Sequence, residues 1–271
     1  MSVFASSTLQ AFIVGGNRGI GLEFVRQLLA NPQVSHVYAS HRQVPSPDLL
    51  QLTVAHPDRL TLLSLDITDE TQIQQAISHI QTQTDRLQLV INCVGILHET
   101  RPEARPEARP ETSSRSESSL QPEKSLQQIQ SDRLLRYFQV NSIGAVLLAK
   151  HLLPLLKLDR SVYACISAKI GSIGDNQIGG WYGYRASKAA LNMFIRTAAI
   201  EYSRKAPKAI LVLLHPGTTD TQLSRPFQRN VPPEKLFSPQ RTVSQLLSIL
   251  ENLQPEDSGS FFSWDGSRLP W

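Results

Sequence analysis

Apolar residues along this chain fall into two alternating patterns. Short runs rich in Val, Ile, Leu, Phe and Tyr occupy 10–14, 36–40, 60–65, 87–92, 161–167, 209–214 and 259–264. Such runs predict β-strands. Between them, apolar positions recur at helical spacing over 19–30, 69–84, 132–153, 182–203 and 239–252. Several strands are apolar on successive residues, as in Leu89-Val90-Ile91 and Leu211-Val212-Leu213-Leu214. Neighbouring side chains of a strand face opposite ways, so these strands are covered on both faces, as in a parallel sheet. Strand–helix alternation with buried strands predicts a doubly wound α/β fold. Ligands of such sheets bind beyond the carboxyl ends of the strands, where strand order reverses.

One segment breaks the pattern. Residues 99–125 contain the near-repeat Arg101-Pro102-Glu103-Ala104, Arg105-Pro106-Glu107-Ala108, Arg109-Pro110-Glu111-Thr112, followed by a Ser-rich stretch. With five basic and six acidic residues and almost no large apolar side chain, it cannot bury a core. Each Pro also disfavours helix in the residue before it. The segment is expected to be a flexible surface insertion in a single domain spanning 1–271. It reads either as a tolerated loop expansion or as a partner-docking arm.

The 271 residues, 41% of them hydrophobic, fit one α/β domain and exclude a wholly disordered chain. The net charge of +4 comes from scattered Lys and Arg, so no nucleic-acid-binding stripe is expected. Two cysteines, Cys93 and Cys165, exclude a disulfide scaffold and fit a reducing, cytoplasmic compartment. The best apolar stretch is broken by Lys150, His151 and Pro154, so no membrane span is expected. The short apolar segment at the start has no basic flank, so no signal peptide is expected either. The seven His show no ligand spacing with one another or with the cysteines, and no metal site is predicted.

The strand ends carry the chemistry. After the first strand comes Gly15-Gly16-Asn17-Arg18-Gly19-Ile20-Gly21, then a helix. Gly15 permits a sharp exit, Gly19 lets backbone approach a diphosphate, and Gly21 lets the helix pack close to the sheet. The helix N-terminus offers free N–H groups and a positive dipole end to an anion. After the second strand stands Ser40-His41-Arg42, where an NAD-preferring site has an acid for the ribose hydroxyl. Arg42 and Arg18 would attract a 2′-phosphate, so NADP(H) is expected over NAD(H), unless Arg42 is merely a solvated arginine. Asp66, at the third strand end, can accept from an adenine amino group or cap the following helix. Asn92 and Gly95 close the fourth: Gly95 allows close backbone approach, and Asn92 ties strands together or makes a turn.

Tyr184 and Lys188 lie four residues apart and share one helix face. A nearby ammonium favours a phenolate, so this pair can move a proton at a substrate oxygen. Gly-x-x-x-Gly-x-Gly, Asn92-x-x-Gly95, Asn141, Tyr184-x-x-x-Lys188 and Pro216-Gly217 occur in the order of the short-chain dehydrogenase/reductase family, which this chain resembles over nearly its whole length. Gly179-Gly180-Trp181-Tyr182 before Tyr184, and Trp264-Asp265-Gly266 near the end, resemble its C-factor/Sniffer-type carbonyl reductase branch.

The resemblance implies a seven-stranded Rossmann sheet and hydride transfer between NAD(P)H and a small carbonyl or alcohol substrate. It implies Tyr184 as acid–base group, Lys188 on the nicotinamide ribose, a Ser orienting the carbonyl and Asn141 in a proton relay. The expected cofactor contacts are Gly15, Asn17, Arg18, Gly19, Ile20, Gly21, Arg42, Asp66, Ile67, Asn92, Val94, Gly95 and Lys188. Pro216, Gly217, Thr218 and Thr221 complete them, the threonines as donors or as members of a capped turn. A homodimer or homotetramer is also implied.

Two departures stand out. Val14 replaces the usual Thr before the first glycine, and Ala168 occupies the usual catalytic serine position. Ser167 is the nearest hydroxyl and Ser172 the fallback. The altered serine keeps a second function open, a nucleotide-binding signalling or sensor protein of C-factor type with little catalysis. Trp181 and Tyr182 are candidates for the substrate pocket, and 222–237 for its lid.

Overall fold

A computed structural model describes residues 9–99 and 120–271. Strands β1 (Leu9–Val14), β2 (Val34–His41), β3 (Leu60–Ser64) and β4 (Leu89–Asn92) alternate with helices α1 (Gly19–Ala30), α2 (Pro47–Ala55) and α3 (Glu70–Gln81). Helix α4 (Ser131–Phe138) runs through a π-helical turn, Gln139–Ile143, into α5 (Gly144–Leu156). Then come β5 (Ser161–Ile166), α6 (Tyr182–Lys205), β6 (Ala209–His215), the short β7 (Thr218–Thr219) and β8 (Leu236–Phe237), α7 (Pro239–Asn252) and β9 (Phe261–Ser263).

Seven strands form one sheet in the order β3-β2-β1-β4-β5-β6-β9, and every neighbouring pair is parallel. This is the doubly wound Rossmann arrangement. Strand order reverses between β1 and β4, which puts the ends of those two strands at the switch point. The sheet is buried on both faces. Phe12 and Val14 belong to one apolar layer, and Leu9, Ala11 and Ile13 to the other. That alternation is why β1 reads as a continuous apolar run.

Helix α2 was not expected from the pattern. It starts on Ser46-Pro47, with the Ser46 hydroxyl accepting from Leu49 N–H at 3.2 Å. A hydroxyl cap followed by Pro at the first helical position is a start signal. The run expected as one helix over 132–153 is instead two helices joined by the π turn. By length and apolarity the combined run Ser131–Leu156 could cross a membrane, but 56% of its most apolar window is buried inside the protein.

Residues 100–119, most of the expected insertion, lie outside the described residues. Its described ends join the fold. Glu99 N–H donates to Leu120 O at 3.1 Å, and both Leu120 and Glu123 are buried.

The turn from β1 into α1 requires glycine at two points. Gly15 stands at φ +85°, where its N–H donates to Ser40 Oγ at 2.9 Å. A Cβ on Gly21 would overlap the Gly15 carbonyl oxygen. The hydroxyl lost by having Val14 is bridged by backbone, since Cys93 N–H donates to Val14 O at 2.9 Å. Gly21→Ala is expected to destabilise the fold by about 1–3 kcal/mol through overpacking, read as a shift in the urea midpoint. An unchanged midpoint would mean the turn relaxes freely.

Candidate active site

Four strand ends and the first turns of α1 and α6 meet at the switch point. The α1 N-terminus has no side-chain cap and no acid in its first turn. Helices α2, α3 and α7 are capped by Ser46, Asp69 and Ser238. Among the described residues no side chain caps the α1 N–H groups, which lie beside Gly19 at φ +55°. Thr221 lies against this turn, with its Cγ2 3.3 Å from where a Gly19 Cβ would stand. Arg18, immediately before α1, donates to Gln222 Oε1 on the same overlying segment. Ile20 packs partly buried beneath.

Asn17 is turned the other way. Its Oδ1 accepts from Ser46 N–H at 2.6 Å, and its carbonyl accepts from the Ser46 hydroxyl at 2.9 Å. The side chain expected at the cofactor therefore braces the glycine turn against the start of α2.

Arg42, after β2, stands 3.9 Å from Glu99, and Glu99 is held by Arg136 through two bonds of 3.0 and 2.9 Å. Asp66 accepts from Thr68 N–H and hydroxyl at 2.9 and 2.8 Å. Burial pushes the Asp66 carboxyl upward, but the Thr68 bonds, then Arg42 and Arg136, outweigh it and hold the acid below its ordinary range. Asp66 makes its own turn, while the cap of α3 is Asp69. Ile67 O and side chain press on Gly144, where no Cβ would fit. Asn92 Oδ1 accepts from Val94 N–H at 3.1 Å, and Val94 Cγ2 fills the space beside Gly15.

The reaction centre forms where the π turn meets α6. Asn141 is buried, with Oδ1 accepting from Ile96 N–H at 2.7 Å. Its Nδ2 donates to Ile96 O and to Ser187 Oγ, both at 3.0 Å. Ser187 in turn donates to Tyr184 O at 2.9 Å. Lys188 Nζ donates to Ile166 O at 2.9 Å and lies 5.9 Å from the centroid of the Tyr184 ring. A Cβ on Gly95 would stand 3.4 Å from Lys188 Nζ and 3.5 Å from Asn141 Oδ1. Tyr184, Lys188, Asn141 and Gly95 thus lie side by side.

The electrostatics differ from the expectation that Lys188 acidifies Tyr184. Burial pushes the Tyr184 phenol above its ordinary value, and burial also pulls Lys188 down to about 8. Lys188 spends one donor on Ile166 O, and its charge is itself weakened by desolvation. The phenol therefore keeps its proton in the free protein.

Ser167 and Ala168 point to opposite sides, as successive residues of extended chain must. Ser167 Oγ donates to Asn192 Oδ1 at 2.7 Å. Ala168 is the residue that packs on the cluster containing Tyr184. The Ser167 hydroxyl is engaged by Asn192, on α6. Ser172 is buried, and its hydroxyl accepts from Asp175 N–H at 3.2 Å.

After β6, Pro216 O accepts from Thr219 Oγ1 at 3.3 Å, and Gly217 at φ +70° leaves room only for the Phe237 and Trp264 rings. Thr218 is exposed in β7, and Thr221 N–H donates to Ser224 Oγ at 3.2 Å. An aromatic wall borders Tyr184. Trp181 and Tyr137 stand edge-on to it at 6.3 and 6.4 Å, and Phe227 on the expected lid meets Trp181 at 4.9 Å. Tyr137 and Phe227 escaped the sequence reading. Tyr137 stands beside Phe138 in a helical stretch and Phe227 in an irregular one, and only the chain path brings them to Tyr184.

The family described as short chain dehydrogenase matches residues 10–232. An uncharacterized oxidoreductase of Schizosaccharomyces pombe is 25% identical over 272 residues, 96% of this chain and 97% of that protein. C-signal of Myxococcus xanthus is 34% identical over 140 residues, 51% of this chain and 78% of that protein. Among solved structures, the NADPH-bound carbonyl reductase from chicken fatty liver matches with a TM-score of 0.79 at 28% identity, covering 97% of this chain and 99% of that one. The carbonyl reductase Sniffer of D. melanogaster matches with a TM-score of 0.79 at 24% identity, covering 98% of this chain and 100% of that one.

Lys188 yields a sign-definite prediction. Between pH 8 and the ordinary lysine value of 10.5, the unfolded chain holds a proton that the folded chain has lost, so stability rises with pH there. The unfolding free energy of wild type minus that of Lys188→Met should climb by about 3 kcal/mol across the window. Urea titrations at stepped pH read it directly, and a flat difference would refute the assignment.

Proposed function

The chain belongs to the short-chain dehydrogenase family, and from that premise we propose that it is an NADP(H)-dependent carbonyl reductase or alcohol dehydrogenase working through Tyr184. The observation that carries this reading is the joint burial of Tyr184 and Lys188 beside Gly95 and Asn141 at the switch point. The oxidised or reduced nicotinamide, when bound, accepts or supplies the hydride.

The residues present fit that cofactor. Cβ atoms at Gly15 and Gly21 would not fit, the α1 N-cap residue makes no side-chain cap, and Arg18 and Arg42 follow the ends of β1 and β2 with positive charge. Gly15, Gly19, Ile20 and Gly21 would cradle the diphosphate, and Arg42 would pair with the 2′-phosphate. Asp66 and Ile67 would border the adenine, and Val94 and Gly95 would line the floor. Pro216, Gly217, Thr218 and Thr221 would hold the nicotinamide end. Asn17 and Asn92 support this surface from behind.

In reduction, Tyr184 donates its hydroxyl proton to the substrate oxygen. Its raised proton affinity keeps the acid form loaded at neutral pH. The Lys188 ammonium, protonated below about pH 8, then stabilises the phenolate that remains. Asn141 fixes the backbone of Ile96 and the start of α6, and its Oδ1 can accept a second hydrogen bond. Trp181 and Phe227, backed by the buried Tyr137, give the site an aromatic side, which suits a small apolar carbonyl compound. The sensor reading draws on one observation, Ala168 where a carbonyl-orienting hydroxyl would face Tyr184.

A panel of aldehydes, dicarbonyls and quinones with NADPH separates the two functions by consumption of the reduced nicotinamide. Tyr184→Phe is expected to lose at least about a hundredfold in turnover while keeping NADPH affinity, and Ser167→Ala to stay near wild type. No consumption by wild type despite tight NADPH binding would favour the sensor. Arg42→Glu is expected to weaken NADPH at least about tenfold and spare NADH in a fluorescence titration. Equal losses for both would remove Arg42 from the 2′-phosphate.

A further inference from the structure

The chain returning from its pairing with Glu99 ends against the first turn of α6. Leu120 joins the apolar cluster that holds Tyr137 and Tyr184. Three residues on, Glu123 is 1% exposed. Its Oε2 accepts from Gly183 N–H at 3.0 Å, and its carbonyl accepts from Trp181 N–H. Its Oε1 is buried without a hydrogen-bond partner among the described residues. A carboxylate buried with one oxygen unpaired is costly, so something must offset it.

The start of α6 supplies that offset. No side chain of α6 or its N-cap residue caps the helix. The entry is also strained. Gly179, Gly180 and Trp181 stand in succession at φ +69°, +66° and +54°. A bulky residue at positive φ persists only where its surroundings hold it. Glu123 holds it through Trp181 N–H and Gly183 N–H. Tyr137 packs at the same point: a Cβ on Gly183 would overlap the Tyr137 ring and approach Glu123 Oε1 to 3.0 Å. The clamped residue is the one immediately before Tyr184. The two rings set by this clamp, Trp181 and Tyr137, are the ones that stand edge-on to the Tyr184 ring.

We propose that Glu123 is a positioning residue: it pins the strained entry to α6 and so fixes the Tyr184 ring against the substrate oxygen. A negative charge at a helix N-terminus is also favoured by the helix dipole. The inference rests on Tyr184 acting as the acid. Among the described residues no bond of the glycine turn or of Arg42 involves Glu123, so its loss should spare the cofactor.

The test uses the full chain with Glu123→Ala, Glu123→Gln and Tyr184→Phe side by side. Loss of a charge-assisted bond predicts that Glu123→Ala drops kcat by about ten- to a hundredfold. KM and Kd for NADPH should stay within about twofold, since those contacts are elsewhere. Glu123→Gln keeps an acceptor for Gly183 N–H and should recover most of the turnover. Hydrogen–deuterium exchange should rise at 181–185 in the Ala variant and not in the Gln variant. Undiminished kcat in Glu123→Ala, or kcat and NADPH affinity lost together without rescue by Gln, overturns the proposal. If Glu123→Ala does not fold, Glu123→Asp, one methylene short of Gly183, takes its place with a smaller loss expected. Turnover retained by Tyr184→Phe would defeat the mechanism above, and the exchange arm would still decide whether Glu123 anchors α6.

Discussion

The side chain of Asn141 holds three separate parts of the molecule together. One amide group bonds both polar atoms of the Ile96 backbone, after β4, and the hydroxyl of Ser187, inside α6. In a buried setting each of these bonds has no water to replace it, so loss of one leaves an orphaned group. The geometry demands that Asn141 reach both targets from the junction of α4 and α5. The π-helical turn at Gln139–Ile143 provides it by adding a residue to the helical circuit, a device that often marks functional positions. Tyr184 and Lys188 inherit their positions from this junction.

Burial then decides the protonation of the pair. Neither group is mainly tuned by the other in the free protein. Each is pushed toward its neutral form by desolvation, the phenol up and the ammonium down. The outcome is a loaded acid beside a lysine poised near neutrality, a resting state suited to reduction. A spacing argument anticipates attraction between two charges, but it omits the larger cost of taking either charge out of water.

The sheet separates the tasks along one edge. The β1 and β2 ends present glycine backbone and Arg42, and the β5 and β6 ends present Ala168, the Tyr184 helix and the Pro216–Gly217 turn. Between them, Glu99 links Arg42 and Arg136, so the cation expected at the phosphate already faces a carboxylate. Trp181, Phe227 and Tyr137 close the opposite end. Polar and apolar side chains thus gather at different strand ends around the point where strand order reverses.

Much of this was legible in the residues themselves. Gly15, Gly19 and Gly21 are local requirements of a strand–turn–helix, and Tyr184 and Lys188 share a face because a helix repeats every few residues. Consecutive apolar residues in β4 and β6 announced a sheet covered on both sides. Ser46-Pro47 could have announced α2. Other features depended on contacts between distant segments. Ser167 and Ala168 differ in role only through the phase of the extended chain, which is set by Asn192 on one side and the Tyr184 cluster on the other. Asn17 was free to face a ligand until Ser46 occupied it. Glu123, in a charged stretch read as surface, became a buried clamp because Gly183 and Trp181 lie sixty and fifty-eight residues away along the chain but beside it in space. Local periodicity fixes which residues share a face; only packing decides what that face meets, because each buried polar atom must find its partner wherever the fold brings one.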